Sequence, residues 1–462
     1  MKIEINTGFA EALNLLEKTQ QNLFITGKAG TGKSTLLEYF RKNTQKRVAV
    51  LAPTGVAALN VEGQTIHSFF LIPPNITPNK VLEHELSEKR IRLIKKLDTL
   101  IIDEVSMLRA DLLDCIDVSL RHHRDQSLPF GGIQMVFIGD LYQLPPVVAG
   151  AEEKQLFSSH YFSPYFFSAK SLEDIELKQL ELKKIYRQKD SSFIELLNKI
   201  RNKTVSEDDL KILNARHLPH FEENQNKNLI ITLNTTNASA DQKNMEELQK
   251  LSKSEETFYG EIEGKFKKNN LPTHEELKLK IGAQIMMLNN DMMGRWINGS
   301  LGKIKDIVFD DKSGDDALIV ELNTGKNVKV KKHSWRIHKY FFNKETSSID
   351  TEVVGSFTQF PVRLAWAVTI HKSQGKTFDN VIIDIGWGTF AHGQLYVALS
   401  RCTSLGGIIL KKPIQKRHII MDQRIHKFIE QSEFLPYPSH DDYQHYSNTN
   451  MSPSYPQQNP QR

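Results

Sequence analysis

Short apolar runs rich in β-branched residues alternate with longer segments of helical period through the first 180 residues. Runs of that kind bounded by Gly, Pro and Asp read as strands, and apolar positions recurring at i, i+3, i+4 and i+7 read as helices. On that basis NLFITG, RVAVLAP, TLIID and IQMVFIGD are strands. KSTLLEYFRKN and MLRADLLDCIDVSLRHHR are helices, the second with Leu108, Leu112, Ile116 and Leu120 on one face. Strands alternating with helices predict an α/β fold, a parallel sheet covered by helices. A second set of α/β texture, NLIITLN, VIIDIG, GQLYVALSRC and GIILKK, starts near 228 and resumes only after about 355. Between its parts, LKIGAQIMMLN, KIKDIVFD and ALIVELNTGKNVKVKKHSW are short alternating runs with Asn-Thr-Gly-Lys as a hairpin turn. They predict a small β-barrel inserted into the second α/β unit. The polar end, SHDDYQHYSNTNMSPSYPQQNPQR, is expected to be disordered. No repeat of fixed solenoid period is visible, and a distant duplication of the two α/β cores stays open.

A length of 462 residues suggests about two to four domains. With 39% hydrophobic and 25% charged residues the composition is that of a soluble globular protein. No apolar run approaches the roughly 18 residues of a membrane span, and MKIEINTGFA lacks a signal-peptide core. A cytoplasmic protein is expected. Two cysteines, Cys115 and Cys402, are too few for a disulfide framework or a four-thiolate zinc site. The net charge of +5 permits a polyanionic partner without requiring one.

GKAGTGKS, Gly27 to Ser34, stands between a strand and a helix, the context that G-x-x-x-x-G-K-[ST] requires. Its glycines let backbone N–H groups close on phosphate oxygens, Lys33 supplies charge to the β- and γ-phosphates, and Ser34 is a Mg²⁺ ligand. In TLIIDEVSM, Asp103 suits Mg²⁺ and Glu104 suits orienting and deprotonating a water. Buried strands rarely end in two carboxylates without a cation nearby, so hydrolysis of a nucleoside triphosphate follows. GDLYQLPPV presents Gln143 on a loop stiffened by Pro145 and Pro146, where it faces a γ-phosphate or the lytic water. APTGVAALN and GQTIHSFF carry Thr54, Thr65, His67 and Ser68, donors suited to a phosphate backbone, and Phe69 and Phe70, equally readable as base-stacking or as core. Downstream lie Thr369, His371, Lys372, Gln374 and Arg401, with Arg187 and Tyr186 in KKIYRQ. Arg401 on a helix of a second α/β core suits an arginine finger, Arg187 is a second candidate, and Tyr186 suits stacking on the nucleotide base.

Together GKAGTGKS, APTGVAALN, GQTIHSFF, IIDEVSM, PFGGIQMVFIGDLYQLPPV, YRQ, IGAQIMMLNN, INGSLG, LAWAVTIHKSQGKTFD and LYVALSRC, in this order over about 20 to 430, resemble the Pif-type DNA helicases of superfamily one, a branch related to RecD. The resemblance implies two RecA-like lobes. The first would span 1–180 with a small wedge-type insertion at 62–90. The second would span 181–270 and 355–432, around an SH3-like barrel at 271–354, with a tail at 433–462. It implies a motor using ATP and Mg²⁺ that runs 5′-to-3′ on single-stranded DNA and opens duplexes, G-quadruplexes and RNA–DNA hybrids, in repair, recombination and telomere maintenance. A monomer in solution is implied, with dimers on DNA left open, in a compact bacterial or phage-like enzyme working at the nucleoid with no membrane partner.

By the same resemblance Gly27, Gly30, Thr31, Gly32, Lys33, Ser34, Thr35, Asp103, Glu104, Gln143, Tyr186, Arg187, Gly375 and Arg401 line the ATP cleft. Thr54, Gly55, Thr65, His67, Ser68, Phe69, Pro145, Asn298, His371 and Lys372 would follow the DNA. The chain departs from the family in having no glutamine before the P-loop, in NTGFAEALNLLEK, where Asn6 or Phe9 is left to meet the adenine. Two other readings stay open: a DNA-stimulated ATPase that displaces proteins without separating strands, and a binding scaffold with a vestigial site. No catalytic position is degraded in a way that favours the scaffold.

Overall fold

Six parallel strands build the first sheet, in the order Gln64–Thr65, Val48–Ala52, Thr99–Ile102, Gln134–Ile138, Asn22–Gly27 and Leu177–Leu182. The computed structural model describes residues 5–431 apart from 74–75, 149–150, 220, 222–228, 267, 269–270, 312–313, 344 and 347. The central strands are buried along their whole length, which is why they read as unbroken apolar runs. Every loop leaving their carboxyl ends lies on one edge of the sheet: the P-loop after Gly27, the acidic pair after Ile102 and the GDLYQLPPV loop after Ile138. The helix Lys33–Asn43 has the bounds expected from sequence. The helix expected from Met107 starts only at Ala110, because Val105–Met107 make a separate 3₁₀ turn.

The second sheet has four parallel strands, Ala367–Thr369, Ile231–Asn234, Val381–Asp384 and Ile408–Leu410. GQLYVALSRC supplies the helix Gln394–Leu399, which carries Arg401 just beyond its end. Two parallel α/β units confirm the fold class, but several boundaries move. Strand Leu177–Leu182 pairs with Asn22–Gly27, so residues 181 and 182 belong to the first sheet and not to a second lobe starting at 181. Gln64 and Thr65 likewise pair with Leu51 and Ala52 and belong to the first sheet, whereas the segment around them continues through the helix Glu88–Lys96.

The insertion also differs from the expected 271–354. A five-stranded antiparallel sheet starts at Gln284–Met287 and closes with Val362–Leu364, beyond 354. The ribbon Glu255–Tyr259 with Glu276–Lys280 shares its core through Phe258, Leu277 and Leu279. The Asn-Thr-Gly-Lys turn joins Asp315–Leu322 to Asn327–Val330 as the sequence predicted. A long hairpin, His333–Asn343 with Ser348–Gln359, pairs instead with Glu261–Gly264 and leans on the first lobe. There the Val50 amide donates to the Tyr340 hydroxyl at 3.1 Å, and the Tyr340 ring meets Phe69 edge-on at 6.2 Å. Such partly buried, mixed faces leave little period in a sequence.

The last described helix, Gln423–Gln431, returns from the second unit to the first. Phe428 stacks flat on Phe167 at 4.5 Å and tilts against Phe24 of the central strand at 6.1 Å. The tail expected at 433–462 lies outside the described residues.

Candidate nucleotide and nucleic-acid site

Gly32 caps the helix Lys33–Asn43 with φ of 87°, a left-handed conformation that glycine adopts without steric cost. The Lys33 ammonium turns back to donate to the carbonyls of Gly27 and Lys28, and burial holds its pKa below the usual lysine range. At Gly30 (φ 84°) an added Cβ would stand 2.5 Å from the Cβ of Arg187, so only glycine admits the arginine here. The Tyr186 amide donates to the Gly30 carbonyl at 2.9 Å, fixing KKIYRQ against the P-loop. Arg187 therefore stands directly against the P-loop, on the segment that leaves the strand Leu177–Leu182, and not across the cleft from it.

The Tyr186 hydroxyl accepts from Asn6 Nδ2 at 2.9 Å, and the Phe9 ring lies beside Gly32. Asn6, Phe9 and Tyr186 thus gather on one flank of the P-loop, although 180 residues separate the hydrogen-bonded pair. Thr31 is buried, with its hydroxyl donating to the Lys28 carbonyl, and Ser34 and Thr35 are exposed in the first helical turn.

The carboxylates stand at the end of Thr99–Ile102, separated from the P-loop strand by the strand Gln134–Ile138. Asp103 is buried, and that burial, with Glu104 beside it, pushes its pKa up to about 7. Glu104 holds φ of 51°, a strained position for a side-chain-bearing residue. Its pKa is also raised by burial, against the pull of Lys33 and Arg401. Among the described residues no group of three or more His, Cys, Asp or Glu is arranged to hold a metal by itself. One exposed hydroxyl, Ser34, and one carboxylate, Asp103, are instead the partial donor set that Mg²⁺ takes when phosphates and water complete its shell.

The raised Asp103 value carries a prediction. A carboxyl whose folded pKa is raised contributes stability that is full below its ordinary value of 3.8 and is lost as pH rises through about 7. Without metal or nucleotide, Asp103→Asn should therefore gain melting temperature relative to the wild type as pH goes from about 4 to about 7. Parallel melting curves across that window would refute the assignment.

From the second unit, Arg401 reaches the cleft with its side chain fully buried. It donates to the carbonyls of Val397 and Lys376 and to the Ser400 hydroxyl. Burial, then the neighbouring Arg187, brings its pKa down to about 9, so it stays charged at neutral pH. Arg187 donates to the Ser400 carbonyl at 3.3 Å. Among the described residues neither arginine has a carboxylate within ion-pair distance. Tyr396, on the same helix as Val397, accepts from the Ala29 amide of the P-loop at 3.1 Å.

Gln143 is buried and donates to Asp140 Oδ2 at 3.3 Å. Asp140 also accepts from Arg201 at 3.1 Å. Sequence reasoning passed over Tyr396 and Arg201. Tyr396 lies inside the LYVALSRC motif, but nothing in the helix FIELLNKIRN marks Arg201.

Of the residues expected on DNA, Phe69 is withdrawn: it is fully buried, edge-on to Phe70 at 5.0 Å and under the Arg90 guanidinium. An apolar pair on a short helix reads the same whether it packs inward or outward, which is why the sequence left both options. Thr54 and Thr65 each cap a short helix, accepting from the amides of Ala57 and Ser68. Ser68 is exposed, Gly55 and His67 are half-buried nearby in the chain, and Pro145 is half-buried in the GDLYQLPPV loop. In the second unit the Lys376 ammonium donates to Asn298 Oδ1, and Lys372 and Gly375 are exposed with His371 beside them.

The PIF1-like helicase family matches residues 6–211, the UvrD-like helicase C-terminal domain matches 364–405, and the DNA helicase Pif1 2B domain matches 261–307. The ATP-dependent DNA helicase Pif1 of Bdellovibrio bacteriovorus is 32% identical over 442 residues, 94% of this chain and 93% of that protein. Pif1 of Bacteroides sp. in complex with ADP-AlF4 superposes with a TM-score of 0.86 at 37% identity, over 94% of this chain and 100% of that one. Bacteroides Pif1 bound to single-stranded DNA, at the same identity and coverage, gives 0.67.

Proposed function

The chain belongs to the PIF1-like helicases and is by family an ATP-dependent DNA helicase; on that premise we propose that it moves 5′-to-3′ on single-stranded DNA and opens duplexes, G-quadruplexes and RNA–DNA hybrids. The observation that carries the ATP-driven part is the pair of arginines: Arg187, half-buried against Gly30 of the P-loop, and Arg401, fully buried and within the field of Glu104, neither with a carboxylate at ion-pair distance among the described residues. Buried charge without a directly paired carboxylate is expensive, and a triphosphate on Lys33 supplies a close anion.

In this reading Gly27 to Ser34 cradles the phosphates, and Asn6, Phe9 and Tyr186 hold the base. Glu104 orients the lytic water and takes its proton, Gln143 contacts the γ-phosphate or that water, and Arg187 and Arg401 offset charge on the transferring group. Mg²⁺, held by Ser34 and Asp103, would neutralise developing charge between the β- and γ-phosphates. Closure of the two lobes on ATP shifts the DNA contacts of Thr54, Thr65, His67 and Ser68 relative to those of Asn298, His371 and Lys372, and hydrolysis releases them. Single-strand binding weakens with salt, as phosphate contacts demand.

The test is steady-state ATP hydrolysis with and without single-stranded DNA. Stimulation of at least about tenfold, ordinary for two coupled sites, is expected. Hydrolysis indifferent to DNA would defeat the reading. Unwinding of 5′-tailed but not 3′-tailed duplexes then checks polarity.

A further inference from the structure

Helix Ser191–Asn202 follows the KKIYRQ junction and packs against the helix Gln394–Leu399 of the second unit. From its last turn Arg201 points back into the first lobe. Its side chain is 9% exposed and its Nη2 lies 3.1 Å from Asp140 Oδ1, in a carboxylate that is itself wholly buried. The guanidinium lies 3.7 Å from the centre of the Tyr142 ring. Arginine is suited to that double contact, since a flat ion both stacks on an aromatic face and pairs with a carboxylate.

Asp140 is a node. Its Oδ1 takes Arg201 and the Tyr142 amide, and its Oδ2 takes the Gln143 side-chain amide at 3.3 Å and faces the Tyr396 hydroxyl at 3.5 Å. The Tyr396 hydroxyl in turn accepts from the P-loop amide of Ala29. Removing Arg201 would leave a buried carboxylate unpaired and free to turn, and the Gln143 amide would lose its fixed acceptor. The Arg201 Nε is buried without a hydrogen-bond partner, so the pair with Asp140 and the stack on Tyr142 are the contacts that hold the group.

We propose that Arg201 is a positioning residue for ATP hydrolysis: from a helix seated on the second lobe it fixes Asp140, and through Asp140 the aim of Gln143. The inference rests on the motor reading above. It makes the junction helix part of the path by which lobe position reaches the hydrolytic centre, through one ion pair and one hydrogen bond.

The experiment is a double-mutant cycle on DNA-stimulated ATP hydrolysis, with Arg201→Met and Gln143→Ala singly and together. Arg201→Met should lower kcat at least about tenfold with KM for ATP changed less than about threefold, and should add less than about threefold on the Gln143→Ala background. Arg201→Lys, which keeps the charge but loses the flat stack, should recover part of the loss. Where Arg201→Met melts below the assay temperature, the same cycle is run with Arg201→Lys. A kcat within about twofold of the wild type, or equal losses on both backgrounds, would overturn the proposal. A wild type that hydrolyses no ATP, or does so without regard to DNA, would instead bring down the motor reading itself.

Discussion

Arg401→Ala is expected to lower DNA-stimulated ATP turnover by about 10³-fold or more, with ATP binding largely kept. The side chain is among the largest fully buried ones, and its guanidinium hydrogen bonds go to carbonyls and a hydroxyl, with Glu104 acting on it only at longer range. Such a group stabilises the transferring phosphoryl more than it stabilises bound ATP, because charge on the equatorial oxygens grows along the reaction. The loss should therefore fall on kcat. Arg401→Lys should stay low as well, since an ammonium lacks the fork that bridges two oxygens. Truncation also frees the carbonyls of Val397 and Lys376, so a melting curve must accompany the kinetics. A folded Arg401→Ala protein turning over within about tenfold of the wild type would remove the residue from the site.

Glu104→Gln should leave ATP bound but unspent, with turnover down about 10² to 10⁴-fold, the ordinary worth of a general base. Gln keeps the volume and the left-handed backbone at this position, so the change removes a proton acceptor and little else. It also removes one of two adjacent buried carboxylates, which should favour the charged form of Asp103 and keep that residue fit for Mg²⁺. The variant should consequently hold both nucleotide and DNA, measured as slow release of labelled ATP in the presence of single strands. Loss of ATP binding would mean that Glu104 shapes the pocket, and near-normal turnover would hand the base to another group.

How much was legible depended on whether the chemistry needs contiguous residues. The P-loop, the acidic pair and the Gln143 loop each lie on one strand end and its following turn, so their spacing carried their meaning. Strands buried along their length announced themselves as apolar runs. Phe69 failed because burial is decided by what lies opposite, here Tyr340 from a hairpin 271 residues later in the chain. That hairpin was itself unreadable, since neither of its faces is consistently buried. Helices Ser191–Asn202 and Glu207–Asn214 went unassigned although Asp190 and Ser206 cap them by the ordinary rules. Arg201 meets Asp140 across 61 residues, and only the packed structure could join them.

In the second sheet, strand Ile231–Asn234 is held between Ala367–Thr369 and Val381–Asp384. Its neighbours are therefore translated about 130 and about 150 residues after it. At roughly 5 to 20 residues per second the first strand waits on the order of ten seconds on the ribosome with both edges unpaired. The inserted antiparallel sheet is mostly local in sequence and is free to close during that wait. The first lobe's sheet, complete by Leu182, is older still. The second lobe's sheet can therefore close only after its insertion has been made, and Arg401, the arginine proposed to act in hydrolysis, follows later still. A nascent chain halted before Arg401 would carry a finished P-loop with nothing to drive it.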